Sequence, residues 1–225
     1  SVVKIPIMIE IFRQVERGER SLDDRFVLAA GDKAAGGGVL LHLHEGIELT
    51  LNDLIYLMIA ISDNSATNVL IHMAGMDRVN ALMRELGMQR SNLGREMKGR
   101  PAIEGEQENF ATPEDYTRVV AAILDGTAAG SDSCAAMIAV LQKQQNPSRI
   151  ARFLPEDESI RWGTKTGSNR DVTHDVGFVQ SPDGTLVMAV MCEGFPDVHT
   201  GERMIGEIAR AAFDTTGIVE PLRTS

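Results

Sequence analysis

The chain has 225 residues, 43% hydrophobic and 24% charged, with a net charge of −10. That is the composition of an ordinary globular chain, and an acidic balance with no Lys/Arg cluster argues against a nucleic-acid partner. The longest apolar run, Leu54 to Ile61, is far too short to span a bilayer.

The opening "SVVKIPIM" starts an apolar stretch of Val2, Val3, Ile5, Ile7, Met8, Ile9, Ile11, Phe12 and Val15. That spacing predicts a mostly buried helix ending at Gly18. Ser1 is a favoured residue type for an N-cap, and Pro6 is tolerated near a helix start. Lys4 is the anomaly, a cation among aliphatics one turn beyond Ser1. A chain opening on Ser without Met also reads as processed or cropped.

Next come a short segment around Arg25–Ala30 and a glycine-rich loop with short extended pieces, "GDKAAGGGVLLHLHEGIELT". His42 and His44 alternate there as they would on one strand face, but a third ligand at convincing spacing is lacking, so no metal is expected. "LTLNDLIYLMIAIS" reads as a helix capped by Thr50 or Asn52. "NSATNVLIHMAG" and "MDRVNALMRELGM" follow as helices stopped by Gly75 and Gly87. Residues 91–111 form one long polar surface loop, a length usually tied to function or mobility. Thr112, Pro113 and Asp115 then restart a helix as cap, first and third positions, and another helix runs from about Asp132 to Gln142.

After Pro155 the period changes. "SIRWGTKTG", "THDVGFVQSP" and "TLVMAVMCEG" read as antiparallel strands, the last two joined by a turn at "SPDG". An amphipathic helix from about Thr200 to Phe213 closes the pattern. The fold class is α+β, an antiparallel sheet flanked by helices plus an all-helical lobe. One domain, 1–225, is expected, with a helical lobe over about 19–154 and a sheet-associated lobe over about 1–18 and 155–225. Three strands make a thin sheet, so further strands are expected before Ser1. Cys134 and Cys192 permit one disulfide or none, and buried free thiols fit better. Trp162 and most methionines are read as core.

Three short motifs carry chemistry. Ser1-Val2-Val3-Lys4 is an S-x-x-K, a common spacing that puts an amine beside a hydroxyl on one helix face. A buried Lys near other cations has a depressed pKa and can act as a base. "SDN" at Ser62–Asn64 falls between two helices, where Asp63 or Asn64 would serve as a cap. "KTG" at Lys165–Gly167 lies in a strand, where the plain alternative is a solvated edge lysine beside a turn glycine.

Together, in this order and on these elements, the three resemble the serine penicillin-recognising enzymes, class A β-lactamases and penicillin-binding proteins. The resemblance extends from Ser1 through the long loop to the closing helix. It implies a β-lactamase/transpeptidase-like fold and a serine hydrolase that forms an acyl-enzyme on Ser1 and opens β-lactams. It further implies that Lys4 assists deprotonation of Ser1 and that Ser62 passes a proton to the leaving nitrogen. Lys165 would hold the site electropositive against Ser62 and the substrate carboxylate. Asn64 would donate to the substrate and to Lys4, Thr166 would bind the carboxylate, and Gly167 would leave room for substrate. The backbone N–H groups of Ser1 and Ser168 would form an oxyanion hole. The partner is then a small molecule, a β-lactam or a D-Ala-D-Ala-like peptide, with no cofactor, and the location periplasmic or secreted.

The pattern departs from the family in the long loop, where no E-x-x-x-N follows Ser91. Glu96 is the nearest match by position, while Glu104, Glu106 and Glu108 read as solvated charge. Two other readings therefore stay open. One is a DD-peptidase-like or esterase-like enzyme with slow deacylation, the other a non-catalytic sensor of β-lactams or cell-wall fragments. Arg170 is a further candidate for the substrate carboxylate, and His174 a candidate neighbour of the site.

Overall fold

In the computed structural model, residues 1–215 are described. Helix α1 (Lys4–Glu16) is the central helix, because ten of its positions are buried and their side chains must be covered on nearly every side. It packs against α2 (Leu51–Ala60), α3 (Asn64–Ala74), α4 (Met76–Glu85) and α6 (Ser131–Leu141). Just ahead of α1, Ser1 and Val2 lie close against Gly167 of the sheet. The expected tail of the sheet lobe, 216–225, lies outside the described residues.

The sheet has three antiparallel strands in the order β3 (Arg161–Asn169), β4 (Val172–Ser181) and β5 (Gly184–Glu193). Here β1 (Arg25–Val27) and β2 (Glu48–Thr50) form a separate two-stranded pair. Residues 28–47 between them are coil and short 3-10 turns, one of them Leu40–His42. His42 and His44 therefore do not share a strand face, and the described residues hold no metal-binding cluster of His, Cys, Asp and Glu.

In register, Lys165 faces Val176 and Gly167 faces His174. Cross-strand partners share a face, so Lys165 stands on the same face as Val176 and Phe178, which join the main core with the helices. On that inner face α6 lies against β3, and α5 (Pro113–Leu124) against β4 and β5. Helix α7 (Val198–Thr215) covers the other face through Ile205, Ala209 and Phe213, which pack with Ile150, Val179 and Met188. Cys134 and Cys192 are both free thiols. Among the described residues, no helix is long and apolar enough to cross a membrane.

Helix starts follow the sequence. Thr50 and Asp53 form a reciprocal capping box on α2, and Thr112 accepts from Asp115 with Pro113 in the first turn of α5. The exception is α1. Its N-cap is Val3 and no side chain caps it, so the Ser1 hydroxyl is not used as a cap.

Candidate active site

Lys4 and Lys165 are both completely buried. Burial of two ammonium groups is expensive unless they are neutralised or fully hydrogen-bonded, so their surroundings carry the chemical information. Nζ of Lys4 donates to the Ser62 carbonyl at 2.8 Å and to Asn64 Oδ1 at 2.9 Å, and lies 3.0 Å from Ser62 Oγ. Burial first and the neighbouring Lys165 second hold Lys4 well below the usual lysine pKa, against the opposing pull of Asp63. Burial also brings Lys165 down to about 7. Its ammonium donates to the Thr166 carbonyl at 2.7 Å rather than to Ser62. The solvated edge lysine is thereby excluded.

Ser62 sits at φ 59°, the one non-glycine residue in the left-handed region among the described residues. Such a conformation is unfavourable for L-residues and persists where surrounding contacts enforce it. Those contacts are visible: Lys4 holds the Ser62 carbonyl, Asp63 N donates to Leu57 O, and Asn64 N donates to Gly37 O. Asp63 caps α3 through Ala66 N and accepts from Val39 N and Leu40 N with its other oxygen. The glycine run threads directly over this turn. A Cβ on Gly38, itself at φ +106°, would stand 2.2 Å from Asp63 Oδ2, so only glycine fits.

Ser1, Ser62, Asn64, Thr166, Gly167, Ser168 and Arg170 all line one cavity of about 1110 Å³. Strand β3 approaches Ser1 so closely that a Cβ on Gly167 would lie 3.3 Å from Ser1 N and 3.2 Å from Val2 N. The absent side chain lets the strand run past the serine. Asn64 accepts from Lys4 rather than donating to it; its Nδ2 donates to Ala35 O at 2.9 Å, which leaves one amide hydrogen for another partner.

The expected carboxylate group at Arg170 is an exposed turn residue. A second arginine, which the sequence did not single out, is more firmly built in. Arg149 is 3% exposed and donates to the Gly167 carbonyl at 2.9 Å, the His174 carbonyl at 2.6 Å and Ser168 Oγ at 2.6 Å, with Glu202 at 3.4 Å. It clamps the end of β3 to β4 and α7 and puts a fixed positive charge beside the KTG strand. His174 also lines the cavity; burial lowers its pKa, and its Nδ1 has no partner.

The 91–111 loop is closed at its neck by paired backbone bonds between Asn92 and Phe110. Met97 is tied to Asn68 on α3 in both directions, 2.8 and 2.9 Å. Glu96 borders the cavity, but its carboxylate is bound to exposed His72 at 2.7 Å. Glu106 and Glu108 are not merely solvated. Glu106 pairs with Lys98 and Arg100, and Glu108 pairs with Arg95 and accepts from Ala102 N and Asn109 N.

The model of the Beta-lactamase enzyme family matches residues 1–216. The chain belongs to that family. A solved beta-lactamase from Sphaerobacter thermophilus is 59% identical, with 98% of this chain and 83% of that one covered and a TM-score of 0.96. The beta-lactamase regulatory protein BlaB of Streptomyces cacaoi is 22% identical, covering 95% of this chain and 84% of its own length. The L158E mutant of PBP-A, solved as an acyl-enzyme complex with penicillin-G, shares the fold at 23% identity and a TM-score of 0.83, over 96% of this chain and 80% of that one. The β-lactamase/transpeptidase-like fold expected from the three motifs is the one observed.

Proposed function

We propose that this family member is a serine β-lactamase that acylates on Ser1. The observation that carries the reading is the convergence of Ser1, Ser62, Asn64 and the Lys165 strand on one cavity, with Lys4 buried directly behind Ser62. Three motifs that are each common by chance meet at one place in space.

The mechanism follows from the donors available. A buried amine whose charged form is disfavoured can accept a proton at neutral pH. Ser1 Oγ attacks the lactam carbonyl while its proton passes to Lys4. The carbonyl oxygen is met by the N–H groups of Ser1 and Ser168, and such aimed donors typically contribute about 3 kcal/mol each. As the C–N bond breaks, Ser62 delivers a proton to the nitrogen and is resupplied from Lys4 Nζ at 3.0 Å. Lys165, Thr166 and Arg149 gather positive charge and donors at the strand where the substrate carboxylate would lie. Asn64 holds the amide side of the acyl group with its remaining hydrogen.

The test is hydrolysis of a chromogenic cephalosporin by the native protein and by Ser1→Ala. Loss of turnover in the variant supports the proposal, and unchanged turnover contradicts it. Faster turnover of D-Ala-D-Ala peptides or simple esters than of any lactam would favour a peptidase-like or esterase-like enzyme.

A further inference from the structure

We infer that the acyl-enzyme on Ser1 is cleared by water activated through the Ser62 hydroxyl and the Lys4 amine, with no glutamate of the 91–111 loop taking part. This rests on the reading of Ser1 as the nucleophile and extends it to the second half of the reaction.

Each loop glutamate is either held by other partners or lies away from the cavity. Glu96 faces His72 on the outer side of α3, both side chains substantially exposed. Glu108 borders the cavity, but its two oxygens receive Arg95 Nε and Nη2, Ala102 N and Asn109 N. A carboxylate that accepts several hydrogen bonds, two of them from a guanidinium, is a poor base. Glu106 is likewise filled by Lys98, Arg100 and Ile103 N. Glu104 is exposed at the loop tip and does not border the cavity. The remaining cavity carboxylates, Asp171 and Glu193, lie at the β3–β4 turn and the end of β5, beyond Ser168.

Lys4 is arranged the opposite way. As a neutral amine it has two hydrogens and one lone pair, and it has two obligate acceptors, the Ser62 carbonyl and Asn64 Oδ1. Its third neighbour, Ser62 Oγ, can donate as well as accept. The lone pair therefore meets the Ser62 hydroxyl, which itself opens on the cavity. No carboxylate contacts Lys4; the charged groups that act on it are Lys165 and Asp63.

The step balances. Water adds to the ester carbonyl, its proton passing to Ser62 Oγ as the Ser62 proton moves to Lys4 Nζ. The bond from the carbonyl carbon to Ser1 Oγ then breaks, and the proton returns from Lys4 through Ser62 to Ser1 Oγ. The acid product leaves and the resting hydrogen-bond pattern is restored.

The experiment forms the acyl-enzyme with a slow penicillin, removes excess antibiotic, and follows loss of the adduct by intact-protein mass spectrometry. Native protein, Glu96→Gln and Ser62→Ala are compared at neutral pH. The expected result is equal adduct lifetimes for native protein and Glu96→Gln within about threefold, with a lifetime lengthened tenfold or more in Ser62→Ala. A lifetime lengthened tenfold or more in Glu96→Gln overturns the inference. So does a native-like adduct lifetime in Ser62→Ala. Absence of any adduct on Ser1 would instead defeat the nucleophile reading itself, which separates the two failures.

Discussion

Lys4 and Ser62 are 58 positions apart in the chain and 3.0 Å apart in the fold. The contact joins the first turn of the central helix to a strained turn between α2 and α3, and it pairs a buried amine with a cavity-facing hydroxyl in one unit.

Replacing Lys4 by Ala should remove that unit while leaving Ser1 in place. Loss of a positioned acid–base group typically costs about 10²–10⁴ in rate, so adduct formation on Ser1 should slow by that order. The rate is read by labelling with a fluorescent penicillin, alongside a melting curve to show that the variant is folded. Labelling at the native rate would remove Lys4 from the mechanism.

Lys165 gives a pH prediction with a definite sign. Its folded pKa of about 7 lies below the ordinary lysine value of 10.5, so the unfolded chain holds more protons across that interval. Stability contributed by this group therefore rises with pH from about 7 to 10.5. Binding of a carboxylate-bearing substrate goes the other way, because the charge that attracts it is lost. KM should increase about tenfold above pH 7, the scale of one charge-assisted hydrogen bond, and Lys165→Arg should flatten that limb because guanidinium stays protonated.

Arg149→Ala removes the clamp between β3, β4 and α7 and the fixed charge beside Ser168. The expected outcome is a KM effect larger than the kcat effect for substrates with a carboxylate. Steady-state kinetics on a matched pair, carboxylate and methyl ester, measures it. An equal loss on both would mean that Arg149 acts on the fold alone.

Gly38→Ala tests the loop above the SDN turn. The added Cβ would overlap the Asp63 carboxylate, which caps α3 and receives Val39 N and Leu40 N. Loss of a cap and a forced left-handed alanine each cost about 1–2 kcal/mol. A lowered melting temperature with lowered acylation is expected, and a variant with native values for both would contradict this role of Asp63.

Much of this was legible in the sequence because it is local. Period, caps and turns located the helices and strands, and three motifs named Ser1, Lys4, Ser62, Asn64, Lys165 and Thr166. What was not legible depends on partners far apart in the chain. Arg149 is an isolated basic residue until β3, β4 and α7 close around it. The glycine run looks like a flexible loop until Asp63 and Asn64 fill the space beneath it. Glu96 matched a role by position, yet His72, 24 residues away, holds its carboxylate.

The central claim is that Ser1 becomes acylated, and intact-protein mass spectrometry after mixing with a chromogenic cephalosporin tests it most directly. The account predicts an adduct that maps to Ser1, appears with the colour change and is absent in Ser1→Ala. Colour development without an adduct, or an adduct that persists in Ser1→Ala, would contradict it.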